Sequence, residues 1–564
     1  MGLKVFNTLG RRLEEFAPVN PPTVGMYVCG PTVYGHSHLG HAKSYVSFDA
    51  ILRWLRFSGY QVNYVQNITD VGHLTDDADE GEDKIVAEAR RRGLHPMAVV
   101  EIFMRSYFED MDALNVLRPD ISPRASGHIP EQIACAQKLL AAGHAYEVNG
   151  SVYFDVASYK RYGQLSGRSV AELEAGARVA VSDEKRHHAD FALWKRAEPG
   201  HIMRWPSPWG EGFPGWHLEC SVMSQKYIGD TLDIHGGGLE NQFPHHECEI
   251  AQGECATGHP FCRYWLHNNM VTINGQKMGK SLGNSVYLKD LFQTPTALLD
   301  RDGNVLVEKS FEPAVIRHFI LTSHYRAPLD FSNDALKAAE SGSYKLRDAV
   351  RELARAAAHV ASAPRGRRDD VAAGASPTGV GRSSASSTEP RAQGSDSAAT
   401  SEPERQRGAQ SEPGAPATGA AGAAALEHCA CAAKSAAVRT ALLDASHRFT
   451  DVMNEDFNTA AALAAVFDLA RQTGGWVRDA APAEDLRAAD TIMQHLTGNV
   501  LGLCWQDPFG GAAAEKARND LIQLLVDLRN DARKAKNYAL SDQVRQRLSA
   551  LGVELKDGAQ GTTW

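Results

Sequence analysis

The spacing of hydrophobic positions changes character several times along the chain. Val24 to Val28 is a short apolar run of strand type that ends at Cys29 and a Gly-Pro pair. The next stretch, AKSYVSFDAILRWLRFSG, places Tyr45, Phe48, Leu52 and Leu55 at helical spacing, with Gly59 as a stop. QVNYVQNIT then reads as a second strand, with Val62, Tyr64 and Gln66 on one face. Strand, helix, strand implies a right-handed crossover and a parallel sheet. Ligands on such sheets bind at the carboxyl ends of the strands, and MYVCGPTVYGHSHLGH (26–41) occupies one of those ends. Residues 1 to about 335 are therefore expected to form an α/β domain.

From about Ala335 the pattern becomes helical and then breaks. Between Pro364 and Ala425 there is no Leu, Ile, Met, Phe, Tyr or Trp. Such a segment buries too little apolar surface to offset its ordering entropy, so residues 362–425 are expected to be disordered. Helical patterning resumes near Leu426 with RTALLDASHRFTDVMNEDFN and TAAALAAVFDLARQ, and a compact piece follows to Trp564.

Composition narrows the picture only modestly. At 564 residues the chain needs two to four domains. Hydrophobic content of 43% and charged content of 23% are those of an ordinary globular protein. No apolar run approaches the length of a membrane span, and MGLKVFNTLGRRLEEF lacks the apolar centre of a signal peptide. Nine irregularly spaced cysteines do not resemble a disulfide framework, so a reducing cytoplasm is expected. The net charge of −9 argues against coating nucleic acid by charge alone, although a local basic face suffices for an RNA partner. The acidic run DDADEGED (76–83) fails as an EF-hand, because Ala78 and Ala87 stand where ligands are required; a solvated loop is expected.

Two short stretches carry candidate chemistry. In HLGH, His38 and His41 flank Gly40 at the start of the predicted helix, where two imidazoles and a helix N-terminus suit a phosphoryl group. Far downstream, KMGKSLGN (277–284) holds Lys277 and Lys280 in a glycine-rich loop suited to a polyphosphate. Either one alone reads more simply as structure or surface. Together, in this order, they resemble the HIGH and KMSKS signatures of class I aminoacyl-tRNA synthetases. YVCGPTVY (27–34), SPWGEGFPGWHLECS (207–221), DIHGGGLENQFPHHECEIAQ (233–252), SHYRAPLDFS (323–332) and the ending ELKDGAQGTTW are similar to the cysteinyl-tRNA synthetase family.

That resemblance implies a Rossmann-type catalytic domain over 1–335, with an inserted subdomain at about 120–200 and a connecting region at about 270–335. A helical bundle over 336–505, interrupted by the low-complexity insertion, and a small anticodon-binding domain over 506–564 would follow. It implies zinc held by Cys29, Cys220, His245 and Glu249. Residues 245 and 249 stand one helical turn apart, and all four types are ordinary zinc ligands. On a helix His246 is expected to point elsewhere; Cys248 is compatible with the geometry, and only the resemblance prefers Glu249. Cys29, Thr69, Trp216 and His235 would line the L-cysteine pocket. Thr32, His38, Gly40, His41, Lys277 and Lys280 would bind ATP, with Mg²⁺ on its phosphates. The implied partner is tRNA(Cys), and the implied state a monomer. Gly279 departs from the usual signature, which has serine there. LRNDARKAKNYALSDQVRQRL offers Arg529, Arg533, Lys534, Lys536, Arg545 and Arg547 as a basic helical face for the anticodon, with Trp564 at the tip.

Three rival readings differ in kind. A small-molecule cysteine ligase would share both signatures but lack the full C-terminal domain. A non-catalytic paralogue would lose some of His38, Gly40, His41, Lys277 and Lys280. A zinc peptidase needs H-E-x-x-H, which HHECE does not supply.

Overall fold

The computed structural model describes residues 2–74, 82–168, 184–279, 282–293, 297–362, 420–505, 512–550, 553, 555–558 and 561–563. Lys280, Trp564, most of DDADEGED and almost all of the low-complexity segment lie outside the described residues.

The central sheet has four parallel strands in the order Cys262–Asn268, Leu232–Gly238, Thr23–Val28 and Gln61–Gln66. The expected crossover helix is Leu39–Phe57, with Tyr45, Phe48, Leu52 and Leu55 all buried. It ends at Ser58, and Gly59 turns the chain with φ +94°. Strand Thr23–Val28 pairs with the next strand in sequence on one side and with Leu232–Gly238 on the other. Its carboxyl end is thus the point at which strand order reverses, and Cys29 stands there.

A five-stranded antiparallel sheet, Ala145–Val148 to Gly210–Pro214, is inserted between the second and third strands. It extends past residue 200, and its strand Gly210–Pro214 leads through Gly215 directly into the helix Trp216–Tyr227. Gly215 has no alternative, because a Cβ there would lie 1.9 Å from the carbonyl oxygen of Ala192. A smaller sheet, ordered Gln276–Lys277, Val271–Ile273 and Leu329–Phe331, carries the second signature.

The bundle comprises Asn333–Ser362, Ala420–Cys431, Ala436–Asn454, Thr459–Arg478 and Ala483–Gln494. The helix starting at Ala420 corrects the expectation of disorder as far as 425: an alanine run needs no large apolar residue to be helical when its far end, at Leu426, is buried. Arg317 joins the bundle side to the catalytic side. It is 1% exposed, donates to the carbonyls of Leu501, Leu114 and Asn115, and pairs with Asp49 of the crossover helix.

The C-terminal piece has helices Ala512–Lys534 and Tyr538–Ala550 and a short hairpin. Arg529 does not belong to an exposed basic face, as the sequence suggested. It is 2% exposed and donates to Thr562 of the hairpin at 3.2 Å, because its position on the helix faces the sheet. Asp83 likewise leaves the expected solvated loop: it is buried and caps the helix Lys84–Arg92 through the N–H groups of Ile85 and Val86. Among the described residues no helix is long and apolar enough to cross a membrane.

Candidate active site and metal centre

His38 is the N-cap of the crossover helix. Its Nδ1 accepts from the N–H groups of Gly40 (3.1 Å) and His41 (3.4 Å), while His41 Nδ1 accepts from the N–H of His38 at 3.1 Å. The two rings stack with centroids 3.9 Å apart. With both Nδ1 atoms acting as acceptors, the neutral tautomer of each ring carries its proton on Nε2. Gly40 is needed for this stack, since a Cβ there would stand 2.9 Å from the His38 ring and 3.4 Å from Met278 of the second signature. The two signatures therefore lie against each other although more than two hundred residues separate them. Asn284 closes the KMGKSLGN loop, accepting from the N–H of Gly279 (2.8 Å) and donating to the carbonyl of Lys277 (3.1 Å). Lys277 itself is exposed.

On the other side of the strand end, the ligand atoms of Cys29, Cys220, His245 and Glu249 all lie within 4.8 Å of one another, and all four residues are buried. Cys29 comes from the strand end, Cys220 from the helix after the inserted sheet, and His245 and Glu249 from one turn of the helix His245–Thr257. The electrostatics are those of a site built around a cation. Burial would raise the Cys29 thiol, yet Cys220 and His245 bring it down to about 6. Glu249, also buried, is held down to about 2 by His235 and His245. His245 is pushed up to about 10 against its burial, because Glu249 and Cys29 attract its proton. Two sulfurs, one imidazole and one carboxylate in this arrangement suit a tetrahedral zinc ion.

His246 corrects the expectation that it points away. Its Nε2 lies 3.2 Å from Cys29 Sγ, so Cys29, His235, His246 and Glu249 form a second group within the same 4.8 Å limit. Neighbours on a helix diverge by about 100°, but Cys29 reaches the helix between the two directions. His246 Nδ1 meets His267 Nε2 at 2.8 Å, and His267 Nδ1 meets the Thr8 hydroxyl at 2.9 Å. His235 lies behind Glu249, 2.8 Å from Oε2, and stacks on Trp265. A histidine in this position would orient the carboxylate if Glu249 held a metal ion.

Trp216 stacks between His73 (4.0 Å) and His245 (4.4 Å). His73 Nδ1 lies 2.6 Å from the hydroxyl of Thr32, and the Thr69 hydroxyl donates to buried Glu219. Thr32, Thr69, Trp216 and the four metal-type residues are therefore assembled around one strand end. His73, Glu219 and His267 were not singled out from the sequence. They have no regular spacing to the signatures, and only tertiary contacts bring them in.

A sheet reversing its strand order at Cys29, with the two signatures in mutual contact beside it, is the arrangement of a class I aminoacyl-tRNA synthetase. The family model described as "tRNA synthetases class I (C) catalytic domain" matches residues 15–341, and a DALR domain matches residues 448–506 within the helical C-terminal region. A cysteine–tRNA ligase of Chlorobium luteolum is 46% identical over 574 residues, covering 100% of this chain and 99% of its own. One from Thermus thermophilus is 43% identical, covering 100% and 99%. The chain belongs to the cysteine–tRNA ligase family, and its activity is the ATP-dependent attachment of cysteine to tRNA. Among solved structures, the Agrobacterium radiobacter K84 LeuRS–tRNA–LeuAMS complex shares the fold at a TM-score of 0.51 and 11% identity, covering 86% of this chain and 85% of that one.

Proposed function

We propose that cysteine is selected at this site by zinc held on Cys29, Cys220, His245 and Glu249, and activated beside it by the two signatures. The observation that carries the reading is the convergence of those four buried donors at the strand end next to HLGH. A bound zinc ion would stabilise the substrate thiolate far better than a serine hydroxyl. An apolar pocket alone separates such near-isosteres by only about 10²-fold.

The cysteine carboxylate oxygen attacks the α-phosphorus of ATP, forming the adenylate as the bond to pyrophosphate breaks. His38 and His41 donate from Nε2 to the phosphate oxygens as charge builds on them. Lys277, with Lys280, holds the departing pyrophosphate, which Mg²⁺ accompanies. Trp216 covers the cysteine backbone, Thr69 borders it, Thr32 borders the ATP, and His235 fixes Glu249. The terminal ribose hydroxyl of tRNA(Cys) then attacks the carbonyl, and AMP leaves. Residues 506–564 contact the anticodon, and the enzyme works as a monomer in a reducing compartment.

The test is ATP–pyrophosphate exchange with cysteine or serine, followed by charging of tRNA with labelled cysteine. Exchange with cysteine in excess over serine by more than about 10²-fold, lost in Cys29→Ser together with the metal, is the expected result. Equal exchange with both amino acids would refute zinc selection.

A further inference from the structure

Lys43 lies two residues beyond His41 on the crossover helix and is 1% exposed. Its ammonium donates to the carbonyl of Ala327 and, at 3.4 Å, to that of Met270. Burial alone lowers its pKa to about 8. A buried cation held by carbonyl dipoles is a costly way to fill space that a methionine would fill without penalty. What the ammonium adds is three donors on one atom, able to gather acceptors from different strands.

Those acceptors are specific. Met270 immediately precedes strand Val271–Ile273, and Ala327 stands just before Leu329–Phe331, its parallel partner. Val271–Ile273 turns through Asn274 (φ 49°) and Gly275 (φ 79°) into Gln276–Lys277. One ammonium therefore ties the roots of both parallel strands of the sheet that presents Lys277 to the helix that begins with HLGH. Ser44 adds a parallel tie, its hydroxyl donating to Asn268 Oδ1 at 2.9 Å. At the opposite end of the hairpin the Met278 side chain approaches Gly40, and the chain after the loop is held to the same helix start by the Leu39 N–H on the Val286 carbonyl and the Leu288 N–H on the Ser37 carbonyl, both at 2.9 Å.

We propose that Lys43 is a positioning residue: its ammonium, by holding the two strand roots, sets the aim of Lys277 at the phosphate site framed by His38 and His41. The proposal rests on the roles given above to the two signatures. Lys43 itself touches neither substrate nor metal.

The experiment uses the full-length, zinc-loaded enzyme and compares Lys43→Met, Lys43→Arg and Lys277→Ala in cysteine-dependent ATP–pyrophosphate exchange. Misaiming a charge at a transition state lowers kcat, so Lys43→Met should lose about 10- to 100-fold in kcat. Its KM for cysteine should stay within about twofold, because the metal donors are untouched. Lys43→Arg, which keeps a cation and several donors, should recover kcat to within about threefold. A Lys43→Met kcat within about twofold of the parent would overturn the proposal while Lys277→Ala remains impaired. So would a kcat loss matched by an equal rise in KM for cysteine, which signals a collapsed pocket. If Lys43→Met does not fold, Lys43→Gln replaces it under the same criteria. Full activity in Lys277→Ala would overturn the reading of the signature itself, and this proposal with it.

Discussion

Lys43 also makes a prediction about stability whose sign is opposite to that for activity. In the unfolded chain a lysine titrates at 10.5, and in the folded protein burial lowers this one to about 8. Between those values the unfolded state binds more protons than the folded state, so stability must rise with pH across that window. Below pH 8 both states are protonated and the full penalty is present. A shift from 10.5 to about 8, at 1.36 kcal/mol per unit, sets that penalty at about 3.4 kcal/mol. By pH 10 about 2.5 kcal/mol of it is relieved, because the folded state has become neutral and most unfolded chains have not. Other groups titrate over the same range, so the measurement is a difference: urea unfolding of the parent and of Lys43→Met at pH 7 and at pH 10. The advantage of the methionine variant, or its deficit, should move by about 2.5 kcal/mol in favour of the parent on going to pH 10. A difference constant to within about 0.5 kcal/mol would show that the ammonium is not desolvated, and the reasoning would fail. Activity should move the other way over the same range, since the neutral amine grips the carbonyls less firmly than the ammonium.

Three further outcomes are expected. Cys29→Ser should carry less than about 0.2 zinc per chain after gel filtration, against about one in the parent, because a hydroxyl replaces a thiolate donor; elemental analysis decides it. Metal binding must displace the proton on His245, raised to about 10, and the thiol proton of Cys220, raised well above its ordinary value. Apparent zinc affinity in chelator competition should therefore climb by at least about tenfold per pH unit between pH 6 and pH 8, and a flat profile would contradict the donor set. Arg317→Met leaves the Leu501 and Leu114 carbonyls without this donor and removes one of two guanidinium groups on Asp49, Arg53 remaining at 2.7 Å. It should destabilise the protein by about 2–3 kcal/mol, while a loss below about 0.5 kcal/mol in chemical denaturation would show that these contacts contribute nothing.

Much of the catalytic half was legible before folding. The period-two and period-3.6 patterns around Tyr45, Phe48 and Val62 are local, and they describe the strand–helix–strand unit as it stands. Resemblance, not spacing, supplied the pairing of Cys29 with Cys220. The structure brings both into one 4.8 Å group with His245 and Glu249. Polarity and helical angle place His246, Arg529 and Asp83 away from the interior, yet each is buried against a segment distant in sequence or capping its own helix end.

The sequence alone determined the class of chemistry, because HLGH and KMGKS, each of which alone reads as structure or surface, together and in this order resemble the paired signatures of one enzyme class. It also determined where regular structure could form, through the spacing of apolar side chains. Only the tertiary structure decided which imidazole faces Cys29, which lysine is buried, and which carboxylate Arg317 neutralises. Those choices depend on where separate elements meet, and a solvent-exposed lysine and a buried one are the same letter until a second strand covers one of them.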